Sequence, residues 1–177
     1  MLRAIKIIAI IMTTFYLDGC SSNNDAVNYF DERFKTLEVI INTDNAFQTS
    51  LDLLLSDSPD NILIDEQEYL TNLKLIKSRY DSLLNTVNGA YSNKLPVQEN
   101  DMNLDRAYRA CLESYYKVCT GEYLKMMLFL ENPDESKERI FRANYQKASE
   151  ILNEKIDVFY ETADRYAAEN NIEINWK

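Results

Sequence analysis

The sequence predicts an all-α protein, an antiparallel up-down-up-down four-helix bundle that follows a short N-terminal targeting segment. Three observations support this prediction. Apolar side chains recur every three or four residues in four long segments, which is the period of helices that bury one face. Only short connections separate these segments, so each helix should run antiparallel to the one before it. With Gly 3 and Pro 3 among 177 residues, the chain has few of the turn residues that an all-β protein needs.

The first nineteen residues have the features of a signal peptide. Arg3 and Lys6 precede an apolar stretch of eleven residues from Ile7 to Leu17. This stretch is shorter than the roughly twenty apolar residues that cross a bilayer. We therefore expect residues 1–19 to be a targeting segment that is removed.

The residues that follow, Leu17-Asp18-Gly19-Cys20, resemble the lipobox of bacterial lipoproteins. The resemblance covers only the first ~20 residues of the chain. It implies cleavage before Cys20 and lipid attachment to its thiol, so that lipid anchors the chain in a membrane. Asp18 departs from the pattern, which usually has a small or apolar residue there, and slower cleavage would follow. A plain secretory signal or an uncleaved anchor helix are the alternatives.

The resemblance also implies a location and a domain order. Residues 20–24 would form the lipidated tether and residues 25–177 the helical bundle domain. We expect a lipid-anchored protein of the bacterial cell envelope. Ser21 follows the lipidated cysteine, which favours the outer membrane if the source has two membranes.

The first helix is predicted over residues 25–55. Capping residues precede it, and Pro59 ends it because proline cannot continue a helix. Asp44 interrupts its apolar stripe, so we expect a kink or a drift of the register that turns Asp44 towards solvent. If buried, Asp44 would need an Arg or Lys partner from a neighbouring helix. The stripe consists of Val27, Phe30, Phe34, Leu37, Ile41, Leu51 and Leu55.

The second helix is predicted to begin at Asp65, with Glu68 at the spacing of a capping box, and to end before Pro96. The third should run from about Asn103 to Leu130. The fourth should start near Pro133, with Asn132 as its cap and proline in its first turn. The two alternatives to a bundle of four are a three-helix core with the first helix swung away and a helical hairpin that dimerises.

Missing residue types exclude several functions. With His 0, the serine and cysteine catalytic arrangements and the His-containing zinc sites cannot form. A net charge of -10 argues against nucleic acid, which needs a basic face. We expect a protein that is not an enzyme and has no cofactor and no metal.

Cys111 and Cys119 lie on the predicted third helix. A helix separates residues eight apart by about 12 Å, beyond the reach of a disulfide. We expect both to be buried as small apolar residues, with an intermolecular bridge or a redox role as alternatives. Gly121 on the same helix should mark either a kink or a close helix crossing.

Aromatic and apolar residues of the third helix are the candidate surface for a partner or ligand. They are Tyr115, Tyr116, Tyr123, Met127 and Phe129. The alternative is that the tyrosines fill the core. The apolar run from residue 126 to 130 should be covered by residues 62–64 or by the C-terminal Ile172, Ile174 and Trp176.

The favoured function is therefore a non-enzymatic envelope lipoprotein, anchored to the membrane through lipid on Cys20, that binds another envelope protein. One alternative is a binding module for a small apolar or glycan ligand, lined by tyrosines of the third helix. Another is an immunity or exclusion lipoprotein, which rests on analogy with small acidic helical lipoproteins.

Overall fold

A computed structural model describes residues 21–56, 66–93, 95–97 and 102–174 of the chain. The secondary structure in these ranges is helical and includes no strand, which confirms the all-α prediction. The predicted signal peptide and Cys20 lie outside the described residues. The elements are α1 (Ser21–Ser56), α2 (Glu66–Ser92), α3 (Met102–Val118), a π-helical turn (Cys119–Tyr123), α4 (Leu124–Glu131) and α5 (Glu135–Glu169).

The third helix of the prediction is one continuous rod made of α3, the π turn and α4, and we call it the third rod. A π turn holds an extra residue in one turn and often occurs at functional sites. Gly121 lies inside it, and no atom beyond its chain neighbours and the backbone of its own helix lies within 4 Å of the position that a Cβ would take there. Of the two roles predicted for Gly121, a close helix crossing is therefore not observed.

Two helix starts differ from their predictions. The predicted cap Asn132 is wrong, because the N-cap of α5 is Asp134, which accepts a hydrogen bond from the Ser136 amide at 3.1 Å. Pro133 consequently lies before the helix and not in its first turn. A short carboxylate that reaches the amide two residues on satisfies one of the free N–H groups of the first turn. α1 begins at Ser21, so residues 21–24 of the predicted tether are helical.

The helices share one hydrophobic core. α1 packs mainly on α2, α3 packs mainly on α5, and the third rod contacts α2. Because α1 contributes buried side chains to the common core, it is not swung away from a three-helix unit. Its core residues include Phe34, Leu37, Ile40, Phe47 and Leu51.

Contacts between helix ends show how the rods lie beside one another. Tyr166, near the end of α5, stacks on Phe30 near the start of α1, with ring centroids 6.1 Å apart. At the other end, the Tyr69 hydroxyl of α2 donates to the Leu130 carbonyl at 2.8 Å. Arg142 of α5 donates to the Leu55 carbonyl of α1 at 3.3 Å.

Across the described residues, no helix is both long enough and apolar enough to span a bilayer.

Candidate functional site

The five residues of the predicted surface do not share one surface. Tyr115, Tyr123, Met127 and Phe129 are buried, and only Tyr116 reaches solvent, with 36% of its area exposed. The two buried tyrosines project into the centre of the bundle, where they take part in the polar cluster described below. Tyr116 lies next to Tyr115 on the helix and so points about 100° away from it.

The apolar run from residue 126 to 130 is largely covered, and two of the residues that contact it come from α5 and α2. Phe129 stacks on Phe141 of α5, with centroids 5.1 Å apart, and Tyr69 of α2 reaches Leu130. Ile172 and Ile174 follow the end of α5 at the opposite end of the rods, so the predicted cover by these two residues is wrong. Residues 62–64 and Trp176 lie outside the described residues. Leu128 remains 54% exposed.

Cys111 and Cys119 are both free and buried, as predicted. Burial raises the pKa of the Cys111 thiol to about 12 and raises the pKa of the Cys119 thiol further. Because the thiolate is the reactive form, neither cysteine is a nucleophile at neutral pH.

Asp44 is the strongest departure from the prediction, because it is only 2% exposed. The expectation that it faces solvent is wrong, since α1 continues regularly through this position. Its expected Arg or Lys partner is also absent from the described residues. Instead, Gln48 Nε2 donates to Asp44 Oδ2 at 2.8 Å and approaches the Tyr123 hydroxyl at 3.1 Å.

Asp44 belongs to a group of polar side chains that we call the core polar cluster. α1 supplies Asp44 and Gln48, α3 and the π turn supply one tyrosine each, and α5 supplies a tyrosine and a serine. The Tyr123 and Tyr145 rings lie 5.4 Å apart, and the Ser149 hydroxyl lies close to both hydroxyls. The members are Asp44, Gln48, Tyr115, Tyr123, Tyr145 and Ser149.

The core polar cluster is incompletely hydrogen-bonded. Asp44 Oδ1, the Tyr115 and Tyr145 hydroxyls and Ser149 Oγ are buried and make no hydrogen bond of good geometry within the described ranges, although Tyr115 faces the Asp44 carboxyl and Ser149 faces the Tyr145 hydroxyl. Buried polar atoms of this kind are rare in native proteins, and each calls for an explanation. Four of them in one cluster mark it as the most unusual part of the core.

The electrostatics of the cluster are dominated by burial. Burial raises the pKa of Asp44 to about 7, although Gln48, Tyr123 and Tyr115 partly oppose the shift by favouring the carboxylate. Burial also raises the pKa of Tyr115 and Tyr123, and the nearby Asp44 charge raises both further. Asp44 is therefore the cluster's one group that gains or loses a proton near neutral pH. In the described part of the chain, no three acidic or cysteine residues are grouped as metal ligands.

A second buried polar group joins α1 to the connection between α2 and α3. Arg33, which has no exposed area, donates to Asp105 Oδ1 from Nη2 at 2.9 Å and to the Pro96 carbonyl at 2.7 Å. Its guanidinium lies 3.5 Å from the ring centroid of Tyr29. Asp105 also accepts from Arg109. Sequence reasoning missed this pair, although Arg33 lies within the apolar stripe between Phe30 and Leu37.

Four exposed apolar side chains lie on α2 and the third rod. Tyr91 of α2 stacks on Tyr116 of α3, with centroids 4.7 Å apart and rings 14° from parallel, and both are exposed. Leu124 and Leu128 are exposed one turn apart on α4. Positions four apart stay near one helix face, and the wider π turn keeps Leu124 close to the line of Tyr116. We call these four residues the exposed apolar stripe.

Two shallow surface grooves have walls without tyrosine. One, of about 370 Å³, lies beside the start of α3 and includes Val97, Met102 and Arg106. The other, of about 390 Å³, lies between α1 and α2 and includes Val39 and Arg79. Neither has the tyrosine wall that the ligand-binding alternative requires.

Comparisons with known proteins give no relative for this chain, since no protein-family model, no curated protein and no solved structure matches it. The interpretation of function therefore rests on the chain's own residues.

Proposed function

We propose that this chain is a non-enzymatic envelope lipoprotein, anchored through lipid on Cys20, whose helical bundle binds another envelope protein. The observation that carries the binding function is the exposed apolar stripe. Tyr91, Tyr116, Leu124 and Leu128 are all exposed. Aromatic side chains are enriched at protein interfaces because they bury a large area and lose little conformational freedom.

The proposed bundle has antiparallel up-down-up-down topology. The start of α1 lies near the end of α5, through Phe30 and Tyr166, and the end of α1 lies near the start of α5, through Leu55 and Arg142. Tyr69 and Leu130 bring the start of α2 to the end of α4. These three contacts support alternating helix directions.

The lipid anchor and the exposed apolar stripe are compatible with one arrangement of the protein at the membrane. Cys20 directly precedes α1 in the sequence, so lipid on Cys20 would hold that end of α1 near the membrane. The net charge of -10 disfavours direct docking of the bundle on anionic lipid. A protein partner is then the natural occupant of an exposed apolar surface.

In-cell photo-crosslinking tests the binding function. A photoreactive amino acid is placed at Tyr116 or Leu124, with Asn153 on the exposed side of α5 as the matched control position. We expect the same partner to be captured from both stripe positions and not from Asn153. Leu128→Lys, which places a charge in the stripe, should reduce the yield from position 124. Equal capture from the stripe and the control position would contradict the proposal.

A further inference from the structure

The Asp44 carboxyl lies where α1, α3, the π turn and α5 meet. Gln48 Nε2 links it to Tyr123, because the amide nitrogen lies 2.8 Å from Asp44 Oδ2 and 3.1 Å from the Tyr123 hydroxyl oxygen. The π turn that carries Tyr123 is also held by Tyr80 of α2, whose hydroxyl donates to the Cys119 carbonyl at 2.9 Å. Asp44 is therefore connected, through the Gln48 side chain, to the π turn of the third rod.

The groups that surround this carboxyl offer it no positive charge. Asp44 makes no ion pair in the described ranges, and its Oδ1 is buried without a hydrogen-bond partner. Asp52, further along α1, adds negative charge near Tyr145. The titratable or polar groups that face the site are Gln48 from α1, Cys111 and Tyr115 from α3, Cys119 and Tyr123 from the π turn, Tyr145 and Ser149 from α5, and Tyr80 from α2.

We propose that Asp44 is a proton-operated switch, and that loss of its proton opens the contact between α1 and the π turn. In the closed bundle the carboxyl is neutral. A carboxylate at this position would be buried without a cation, which is strongly unfavourable, so the charged form must gain water. The Gln48 amide joins Asp44 Oδ2 to the Tyr123 hydroxyl across the contact between α1 and the π turn, so breaking this link would separate the two elements and let water reach the carboxyl.

The direction of the switch follows from proton linkage. The closed state binds the proton more tightly than an open, hydrated state, because burial raises the pKa of Asp44 to about 7. Opening is therefore favoured as the pH rises through neutrality and is suppressed in mild acid. This inference concerns the core alone and does not depend on the lipid anchor or on a partner.

Hydrogen exchange followed by mass spectrometry or NMR tests the switch in the purified protein. After correction for the intrinsic pH dependence of exchange, we expect protection of residues 44–48 and 119–123 to fall about tenfold or more between mild acid and mild alkali. Segments far from the site, such as residues 155–165, should lose protection only in step with the free energy of global unfolding, whereas residues 44–48 and 119–123 should exchange at a lower free energy through the local opening. Unchanged protection near Asp44 across this range would overturn the proposal.

Asp44→Asn is the decisive variant, because it removes the ionisation and keeps the shape. We expect it to hold residues 119–123 in the protected state at every pH. If the variant keeps the pH dependence of the wild-type protein, another group is responsible and the proposal is wrong. Should Asp44→Asn fail to fold, the ¹³C resonance of the Asp44 carboxyl in the wild-type protein provides the test. The change of this chemical shift with pH should have its midpoint near neutrality and coincide with the change in hydrogen exchange. A midpoint in the ordinary acidic range of carboxyl groups would overturn the proposal.

Discussion

Arg33 and Asp105, 72 residues apart in the chain, form an ion pair inside the bundle, with Arg33 Nη2 2.9 Å from Asp105 Oδ1. Three further hydrogen bonds hold the guanidinium, since Nε donates to Asp105 Oδ1 at 3.3 Å, Nη1 to the Tyr29 carbonyl at 3.2 Å and Nη2 to the Pro96 carbonyl at 2.7 Å. The pair links α1 to α3 and to the connection that precedes α3. A buried charge that is so fully hydrogen-bonded is costly to disrupt.

Removal of the Asp105 carboxylate should therefore destabilise the protein strongly. Asp105→Ala leaves the Arg33 charge buried without its partner, and we expect a loss of about 3–5 kcal/mol in the free energy of unfolding. Urea denaturation followed by circular dichroism measures this loss. The control is Glu113→Ala, which breaks an ion pair with Lys117 in which both side chains are more than half exposed. Such a pair contributes about 0–1 kcal/mol, so similar losses in the two variants would contradict the proposed role of Arg33 and Asp105.

Asp44 should make the stability of the whole protein depend on pH. The folded state raises the pKa of Asp44 from the ordinary 3.8 to about 7, so the folded state holds a proton that the unfolded state releases. The free energy of unfolding should then fall as the pH rises from about 4 to about 7, by up to about 4 kcal/mol.

Asp44→Asn should abolish this dependence and be more stable than the wild-type protein above neutral pH. Denaturation curves at a series of pH values measure the difference between the two proteins. The control is Asp164→Asn, which changes an exposed residue of α5 and should follow the wild-type curve. If Asp44→Asn runs parallel to the wild-type protein at every pH, burial of the carboxyl is not the source of the dependence.

The two described glycines should both be replaceable by alanine. Beyond the chain neighbours and the backbone of its own helix, no atom lies within 4 Å of the Cβ position at Gly89 or Gly121, and neither has a positive φ. Alanine should add up to about 1 kcal/mol of stability at each, because it restricts the unfolded chain and favours helix. Gly89 lies in the regular helix α2 and is the reference for Gly121 in the π turn. A loss of stability in Gly121→Ala alone would mean that the π turn needs glycine.

Both buried cysteines should be unreactive in the folded protein. Burial raises the pKa of each thiol, so little thiolate is present even in mild alkali. We expect Cys111 and Cys119 to react with a thiol reagent only at the rate of unfolding and at once in denaturant. Reaction of either cysteine without unfolding would revive a redox role.

Lipid attachment should depend on one cysteine of the three. Cells fed a clickable palmitate analogue should label the protein, and Cys20→Ala should abolish the label and leave the precursor unprocessed. Cys111→Ala is the matched control, because this thiol is buried and should leave the label unchanged. Equal labelling of Cys20→Ala and the wild-type protein would exclude the lipoprotein assignment.

Much of the helical architecture could be predicted from the sequence because helix formation is largely local. The recurrence of apolar residues located four long helical segments, and the spacing of Cys111 and Cys119 excluded a bond between them. The recurrence of apolar residues was less reliable at the ends of helices. Asp134, and not Asn132, caps α5. Helix ends depend on which of several adjacent polar side chains reaches a free amide, and the spacing of apolar residues does not record that choice.

The core polar cluster could not be derived in the same way. Spacing placed Asp44 on the buried stripe, but the absence of an obvious partner suggested that it would turn to solvent. Its surroundings come from tyrosines and a serine on helices distant in sequence. The burial of Tyr115 and Tyr123 likewise depends on where α5 packs. The position of α5 decides whether a tyrosine of the third rod is buried in the core or exposed to solvent.

By itself the sequence determined the helical class, the main helical segments, the absence of a bond between Cys111 and Cys119 and the presence of a lipobox-like segment before the helices. Only the tertiary structure decided that Arg33 meets Asp105, that Asp44 is buried beside the π turn, and that Tyr116 with Tyr91 faces solvent. The physical reason is that periodicity specifies the angle at which a side chain leaves its own helix. Partners and solvent exposure depend on the neighbouring helices, and their positions result from the packing of the whole core.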